Sequence, residues 1–512
     1  MNTDTRDAGT ATGAERARRS LDRFIFASLL ALGFLVAAPY GAVDPWWEGA
    51  FEASVFALGA LWMLEGMLAG GGWVVPEQRL LLPVIALILF AAAQTLALAP
   101  AREVAGVLVG ASLSADTQET WRFVIKLAAL ALALALLLRY TSGARRLRAL
   151  VHAAAGVGFL SAIFGVLRLV GGRETVAFVS GRLAANRDGF AQFINRNHFA
   201  FLAEMALGVA LGLLIHAARR RRRLPAYAAL ALTVWTALVL SNSRGGILSM
   251  FVALISTALL YTSPAAKERE ASESSSAVRR EEDETHGGRD AQRSRRGRRR
   301  RGWRARAGRD SWVFKGALLA SLLVVTLVGV LWVGGEKLAE RIEALPTDVA
   351  AEGPRWGDRR AEIWRAAWQL FLDHPLTGVG FGAFRAAVPT HHDASGEMSL
   401  EQAHNDYLEL LASGGIFGAA LFAWLIWMIV GRARRSLRSP DSFRRAAAAG
   451  AAAGLLAVAA HSLFDFGLHV TANAYVLVML IAVVCAGARV EGEPRKQAAA
   501  ASRVRSRAEE GD

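Results

Sequence analysis

Long apolar runs recur along this 512-residue chain from Phe24 to Ala488, and they constrain its fold more than any other feature. Each run is long enough to cross a bilayer as a helix, which takes about 20 residues. A hydrophobic fraction of 54% and a mean hydropathy of +0.31 agree with this interpretation. We therefore predict an all-α, polytopic integral membrane protein.

We expect about twelve membrane-spanning helices, with one large loop on the outer side between two late spans. The predicted spans are residues 24–43, 51–70, 80–99, 123–138, 149–170, 198–217, 225–240, 246–262, 313–333, 407–430, 446–464 and 470–488. The first span follows a polar stretch without a signal-peptide cleavage pattern, so we interpret it as a retained helix.

The 59 Lys and Arg residues cluster in alternate gaps between the spans. Cytoplasmic loops carry such an excess, which predicts that both termini lie in the cytoplasm and that residues 334–406 lie outside. The same distribution accounts for the net charge of +15 without a nucleic-acid partner. The single cysteine, Cys485, excludes a disulfide framework.

The spans and charges divide the chain into five predicted regions. They are a cytoplasmic tail (1–23), eight membrane helices (24–262), a basic cytoplasmic insert (263–311), a second membrane region (312–488) that includes the outer loop 334–406, and a cytoplasmic tail (489–512). The insert has few aliphatic residues, which predicts disorder near anionic headgroups.

The outer loop contains an amphipathic pattern from Asp358 to Pro375, with Asp358 as the predicted N-cap. Its tryptophans, Trp364 and Trp368, predict a helix on the membrane surface. The glycine-rich stretch 375–382 does not fit a dinucleotide fingerprint, because no strand precedes it and the last glycine is replaced. We expect a tight turn that brings backbone close to a lipid or phosphate.

Four polar groups occur at the predicted outer ends of spans. They are Asn195, Arg196, Asn197 and His198; Ser243 with Arg244; His404, Asn405 and Asp406; and His461 with Asp465. Their placement on one side of the membrane predicts a site there. The same residue types also cap helices or reach lipid headgroups, and the residues alone leave that alternative open.

The residue types suit phosphate and proton chemistry. Arginine presents a planar fork of donors to phosphate oxygens, so Arg244 and Arg360 are candidate diphosphate clamps. His404 is a candidate general base, because histidine titrates near neutral pH. Neither His391 and His392 nor the pair His404 and Asp406 has metal-ligand spacing, so we expect no required metal.

Taken together, several motifs make a family resemblance recognisable. They are Asn195-Arg196-Asn197-His198-Phe199-Ala200, Ser243-Arg244-Gly245-Gly246, Arg360 with Trp364, the stretch 374–380, Ala403-His404-Asn405-Asp406-Tyr407-Leu408-Glu409, and His461-Ser462-Leu463-Phe464-Asp465-Phe466. This combination resembles the O-antigen ligase and polymerase superfamily of bacterial envelope glycosyltransferases. The basic insert 263–311 departs from that pattern.

The resemblance implies an inner-membrane enzyme with a large periplasmic loop. Such an enzyme transfers a glycan from an undecaprenyl diphosphate carrier to an acceptor, with inversion and without a metal or nucleotide cofactor. By resemblance, Arg244 and Arg360 hold the diphosphate and His404 activates the acceptor hydroxyl. The residues predicted to bind substrate are Asn195, Arg196, Asn197, His198, Asn405, Asp406, His461 and Asp465.

Two other functions are compatible with a chain of this kind. A secondary transporter also has many spans with both termini inside, although carriers commonly consist of two similar halves and this chain does not. A metal-dependent lipid-sugar transferase would need paired carboxylates in the first outer loop, which offers only Asp44 and Glu48. For a glycan transferase, the sequence leaves open whether the acceptor is lipid A core, a growing polysaccharide or a protein side chain.

Overall fold

The computed structural model describes residues 4–68, 75–104, 107–177, 189–218, 221–261, 356–392 and 401–489. The chain forms two compact units, residues 1–253 with 353–512, and residues 254–352. Only residues 254–261 of the second unit are described, and they form the end of one helix. The predicted insert 263–311 and the predicted span 313–333 lie outside the described residues.

The described residues are almost entirely helical. In the first half of the chain the helices are α1 (Asp4–Ala37), α2 (Pro45–Leu68), α3 (Leu81–Gln94), α4 (Thr117–Tyr140), α5 (Ala144–Ala177), α6 (Arg196–Ala218), α7 (Leu224–Leu240) and α8 (Arg244–Tyr261). After the undescribed segment follow α9 (Trp356–Asp373), α10 (Phe384–Ala387), α11 (Asp406–Leu437), α12 (Ser442–His461) and α13 (Thr471–Arg489). Short 3-10 turns occupy Gln78–Leu80, Arg221–Arg223, Val388–Thr390 and Gly467–His469.

Eight of these helices are long and apolar enough to cross a membrane, judged by length and composition. They are Gly13–Ala37, Pro45–Leu68, Thr117–Tyr140, Ala144–Gly171, Arg196–Ala218, Arg244–Tyr261, Asp406–Leu437 and Ser442–His461. Three shorter apolar helices are Gln78–Gln94, Leu224–Leu240 and Thr471–Ala486. Together they overlap every predicted span except 313–333, which is typical of a multi-pass membrane protein.

An antiparallel hairpin departs from the all-α prediction. Strands β1 (Ala97–Val104) and β2 (Val107–Ser112) occupy the end of the predicted third span and the gap after it. Helix α3 ends at Gln94, before Pro100, which cannot continue a helix because it lacks an N–H donor. The apolar pattern alone could not separate the strand from the helix before it.

Close packing of α6 against α12 organises the bundle. Gly208 and Gly212 of α6 face Gly450 and Gly454 of α12, and a Cβ atom on Gly208 would lie 2.6 Å from the nitrogen of Gly454. Small residues at such crossings let two helix backbones approach each other closely. Because Gly208 meets Gly454 whereas Gly212 meets Gly450, the two helices are antiparallel. The start of α6 therefore lies beside the end of α12.

Helix α11 is broken at Gly415, whose backbone has φ 58° and ψ −161°. The loop that follows α9 forms backbone hydrogen bonds with α11 on both sides of the break. The Val379 N–H donates to the Ala412 carbonyl at 2.9 Å, and the Ile416 N–H donates to the Pro375 carbonyl at 2.8 Å. Backbone groups released at a helix break need such partners when they are buried.

The side chain of Gln94 fastens the same junction from α3. Its Nε2 donates to the carbonyls of Thr377 at 2.6 Å and Ser413 at 3.0 Å, while its Oε1 accepts the Phe381 N–H at 3.2 Å. Gln94 is fully buried, so these bonds satisfy an amide that would otherwise be costly to bury. The loop at 375–381 and the broken helix are therefore held together.

The glycines of the loop at 375–382 approach other parts of the protein, which differs from the predicted contact with a lipid or phosphate. Gly378 has φ +66°, and a Cβ atom there would lie 2.3 Å from the carbonyl carbon of Ser413. Gly380, with φ +103°, lies against Ser114. The lack of a side chain serves contact between α11 and its neighbouring loop, because only glycine fits there in this conformation.

Candidate functional site

The four polar groups of the sequence meet at one end of the bundle. His404, just before α11, places Nδ1 3.4 Å from Oδ1 of Asp465, which follows α12. The amide of Asn197 at the start of α6 donates to the other oxygen of Asp465. The hydroxyl of Ser243 in turn donates to Oδ1 of Asn197 at 2.8 Å. One chain of polar contacts thus joins the starts of α6, α8 and α11 to the end of α12.

Several of these residues also cap the helices that carry them. Asn195 Oδ1 accepts the Asn197 N–H at 2.8 Å, and Ser243 Oγ accepts the Gly246 N–H at 3.1 Å. Asn405 Oδ1 accepts the N–H groups of Tyr407 and Leu408, both at 3.0 Å. The capping role that the sequence left open is real for these three side chains, and it fixes the helix starts around the site.

His404 occupies a strained and well-supported position. Its φ of +50° lies in the left-handed region, which costs free energy for a non-glycine residue and recurs at functional sites. The preceding residue, Ala403, accepts the Trp364 indole N–H at 3.1 Å and donates its own N–H to Glu409 at 2.9 Å. The imidazole packs edge-on against Phe466 at 4.8 Å and keeps 29% of its side chain exposed.

Asp465 is a buried carboxylate beside the exposed ring. Burial alone would raise the pKa of Asp465, but the His404 imidazole 3.4 Å away and the hydrogen bond from the Phe466 N–H lower it to about 2. The carboxylate is therefore ionised near neutral pH. An anion on Nδ1 fixes the imidazole tautomer and stabilises the imidazolium that forms when Nε2 takes a proton.

Of the two candidate clamp arginines, Arg360 lies on the helix that bonds to Ala403, and Arg244 follows Ser243 in the chain of polar contacts that leads to His404. Arg244 is the exposed first residue of α8, directly after Ser243. Arg360 is partly exposed and lies one helical turn before Trp364 on α9, so the two share a face. Arg196 is the exposed first residue of α6. The starts of α6, α8 and α11 converge, and helix N-termini attract anions.

His461 lies inside the bundle, which differs from its predicted contact with substrate. Its side chain is 1% exposed, its Nδ1 is 3.1 Å from Oε2 of Glu204, and its ring stacks on Phe201 at 4.1 Å. Sequence reasoning missed Glu204, although a lone carboxylate in the apolar run of α6 is itself a signal for a functional or paired group.

His198 and Asp406 flank the central pair. The His198 ring meets Phe466 edge-on at 5.0 Å, and its carbonyl accepts the Asn473 amide at 2.9 Å. Oδ2 of Asp406 accepts the Ser462 hydroxyl at 2.6 Å. These contacts tie α6 and α11 to the segment between α12 and α13.

His469 and Glu409 were also missed by sequence reasoning. The Nε2 of His469 lies 3.4 Å from Oε1 of Glu409 and 3.7 Å from Oδ1 of Asp406. Lys126 of α4 donates to the His469 carbonyl at 2.7 Å. The carboxylate of Glu409 was visible as part of the His404 motif, but its bond back to the chain before the helix depends on the fold.

Helix α9 begins at Trp356, before the predicted N-cap Asp358. The indole of Trp364 bonds to the Ala403 carbonyl, so this side chain faces the protein and not the membrane surface. Trp368 keeps 44% of its surface exposed. The loop histidines lie against α9: His391 is hydrogen-bonded to Asp373 at 2.6 Å, and His392 is 3.9 Å from Glu362. Within the described ranges no cluster of three or more His, Cys, Asp and Glu residues has a metal-binding arrangement.

The fold and the site define a multi-pass helical membrane protein with a histidine–carboxylate pair at one end of its bundle. Residues 295–423 match the family model described as O-Antigen ligase. This match confirms the resemblance to the O-antigen ligase family over the matched residues. No curated protein was found to match the chain.

The matched region contains Arg360, His404, Asn405 and Asp406, whereas Arg244 and Asp465 lie outside it. It begins inside the predicted insert, so residues 295–311 belong to the matched region. The family is associated with O-antigen ligase or polymerase activity, and it implies a polyprenyl-linked glycan donor and a glycan acceptor.

Proposed function

We propose that the protein transfers a glycan from an undecaprenyl diphosphate-linked donor to an acceptor hydroxyl on the outer face of the bacterial inner membrane. The transfer inverts the anomeric centre and uses no metal or cofactor. The observation that carries this proposal is the His404–Asp465 pair, in which a buried carboxylate faces one nitrogen of a partly exposed imidazole. The family match favours transfer over the secondary-transporter alternative.

His404 is the general base in this reaction. The acceptor oxygen attacks the anomeric carbon from the face opposite the diphosphate, and the carbon–oxygen bond to the phosphate breaks. The acceptor proton passes to Nε2 of His404, and undecaprenyl diphosphate leaves. Asp465 stabilises the resulting imidazolium through Nδ1.

Arg244 and Arg360 stabilise the negative charge that grows on the leaving diphosphate. Fixed guanidinium groups beside converging helix N-termini act strongly where water is partly excluded. Arg196 is exposed at the start of α6 and is a further contact for the lipid-linked glycan in this proposal. Asn197 acts through Asp465, and Asn195 and Asn405 act through the helix starts that they cap.

The remaining polar residues line the acceptor side in this proposal. His198 and Asp406 lie beside Phe466 and Ser462, next to the His404 turn. The chemical class of acceptor that these residues require is a hydroxyl group, which lipid A core, a polysaccharide end and a protein side chain all offer.

Reconstitution tests the reaction itself. Purified full-length protein in proteoliposomes is supplied with the lipid-linked glycan fraction of its source cells and with candidate acceptors. We expect free undecaprenyl diphosphate to appear in step with glycosylated acceptor. If the lipid-linked glycan crosses the membrane with its diphosphate bond intact and no transfer occurs, the protein is a carrier and the proposal fails.

The proposal also requires residues 334–406 outside and both termini in the cytoplasm, as the charge distribution predicts. Single cysteines at Ser274 and Ser395, introduced with Cys485 replaced by Ala, report their side through an impermeant thiol reagent. We expect labelling of Ser395→Cys in intact cells, and labelling of Ser274→Cys only after lysis. The reverse pattern would overturn this orientation.

A further inference from the structure

A second histidine–carboxylate pair lies beneath the site, inside the bundle. Glu204 of α6 is fully buried, and His461 at the end of α12 is 1% exposed. Their Oε2 and Nδ1 atoms are 3.1 Å apart. A carboxylate in such a place is costly unless it is paired, so the partner ring is held firmly.

The ring of His461 supports the first turn of α8. One face of the ring stacks on Phe201 at 4.1 Å with an interplanar angle of 16°. Gly245 touches the ring as well, because a Cβ atom there would lie 2.5 Å from Nε2 and 2.7 Å from Cδ2 of His461. Gly245 directly follows Arg244, so the position of this ring sets where the backbone of Arg244 lies.

The backbone of His461 supports the turn that carries Asp465. Its carbonyl accepts the N–H groups of Phe464 at 2.8 Å and Asp465 at 3.2 Å. His461 therefore contacts Gly245, the residue after Arg244, with its side chain. It contacts Asp465 with its main chain.

We propose that Glu204 and His461 are positioning residues that hold Arg244 in register with Asp465 and the His404 base. This inference rests on the proposed function, because it gives the pair its purpose within that site. Neither side chain touches substrate. Their effect on the reaction passes through Gly245 and through the turn after α12.

The contact between Gly245 and His461 can be tested by adding a methyl group at Gly245 and removing the ring of His461, separately and together. We compare Gly245→Ala, His461→Ala and the double variant in purified full-length protein, with undecaprenyl diphosphate as the probe. Gly245→Ala should weaken binding by about tenfold, because the new methyl group displaces Arg244. In the double variant the methyl group enters space that the ring has left, so Gly245→Ala should then cost less than about threefold. Gly431→Ala, which adds a Cβ with nothing within 4 Å, is the matched control.

Glu204 is tested by a conservative and a disruptive change. Glu204→Gln keeps an oxygen that can accept the His461 Nδ1–H, so binding should stay within about threefold of wild type. Glu204→Leu removes that acceptor and should weaken binding by about tenfold. If Glu204→Leu does not fold, the Gly245 exchange still decides the question.

Two results overturn the inference. One is Gly245→Ala protein that binds undecaprenyl diphosphate as wild type does. The other is a double variant in which the two losses simply multiply. Wild-type protein that does not bind undecaprenyl diphosphate at all would instead refute the proposed function, so the two failures are distinguishable.

Discussion

Two histidine–carboxylate pairs lie near each other in this protein and differ mainly in exposure. The His404 side chain is 29% exposed while its partner Asp465 is 2% exposed. The His461 side chain is 1% exposed and its partner Glu204 is fully buried. His461 precedes Asp465 in one turn, and its carbonyl accepts the Asp465 N–H. The two pairs are therefore joined by backbone although they face different surroundings.

The comparison shows that a histidine and a carboxylate in contact do not have a fixed role, because the role depends on how exposed the ring is. A general base has to come within hydrogen-bond reach of the proton that it removes, and of these two rings only that of His404 has appreciable exposed surface. A ring enclosed on all sides can hold other elements but cannot meet substrate. A pair elsewhere in the described residues, His391–Asp373, has side-chain exposures of 28% and 51% and lacks a buried carboxylate. It is a useful reference because exposed pairs contribute little.

The largest effect is expected from Asp465→Asn. The amide can still accept the Phe466 N–H, but it no longer stabilises the imidazolium of His404. We expect turnover to fall by about 100-fold to 10,000-fold, the range of positioned proton transfer. Asp373→Asn, which changes the exposed reference pair, should leave turnover unchanged. Initial rates of glycan transfer in proteoliposomes measure the turnover of each variant. Wild-type turnover in Asp465→Asn would show that Asp465 contributes no more to the reaction than Asp373 does.

Glu204→Leu should damage the fold more than the chemistry. Breaking a buried pair leaves its partner unsatisfied and costs about 3–5 kcal/mol of stability. We expect a marked fall in the unfolding temperature of the detergent-solubilised protein, measured by thermal denaturation. Asp465→Asn should change that temperature far less. Equal loss of stability in both variants would show that the two pairs do the same structural work.

Arg244→Lys tests the element that the buried pair supports. A lysine keeps the charge but loses the forked geometry, and one lost charged hydrogen bond is worth about 1.5–3 kcal/mol. We expect undecaprenyl diphosphate to bind about tenfold or more weakly by equilibrium titration. The exposed Arg365 of α9 gives a matched control as Arg365→Lys. Equal affinities of Arg244→Lys and Arg365→Lys for undecaprenyl diphosphate would show that Arg244 does not bind the diphosphate.

A smaller effect is expected from Trp364→Phe, which removes the indole N–H that bonds to Ala403 beside His404. One such hydrogen bond is worth about 1 kcal/mol, so turnover should fall by several-fold. Trp368→Phe on the exposed side of α9 is the control. A loss in Trp368→Phe that matched the loss in Trp364→Phe would assign the effect to the helix surface.

The ionisation of Asp465 should not change when the pH is varied between 5 and 8. The pKa of Asp465 is lowered to about 2 in the folded protein, from an ordinary value of 3.8. Its contribution to stability is therefore complete at pH values well above 3.8 and is lost as the pH falls through about 2. The carboxylate band that distinguishes wild type from Asp465→Asn in the infrared spectrum should have the same intensity at pH 5 and pH 8. A band that weakens at pH 5 would show that the pKa of Asp465 is not lowered.

Much of the scaffold could be predicted from the sequence. Helix length and apolar composition located the described spans, because the bilayer sets the length of its helices. The charge pattern placed four polar groups on one side, and the contacts among Asn197, Ser243, Asp465 and His404 bring those groups together. Such predictions depend on local patterns, which is why they did not need the tertiary structure.

The parts that escaped prediction depend on contacts between distant residues. The break at Gly415 is stabilised by the loop at 375–381 and by Gln94, which lies 319 positions from its partner Ser413. The pairing of Glu204 with His461 spans 257 positions. No local pattern specifies these partners, so the sequence identified His461 as a polar residue near a site without its inward orientation.

The measurement that tests the central claim most directly is a comparison of turnover and binding in purified His404→Ala protein. If His404 is the base, glycan transfer should fall by about 100-fold or more. Affinity for undecaprenyl diphosphate should stay within about threefold of wild type, because the lost interaction belongs to the transition state. His391→Ala should match wild type in both. Transfer at the wild-type rate, or an equal loss of binding and turnover, would contradict the assignment of His404 as the base.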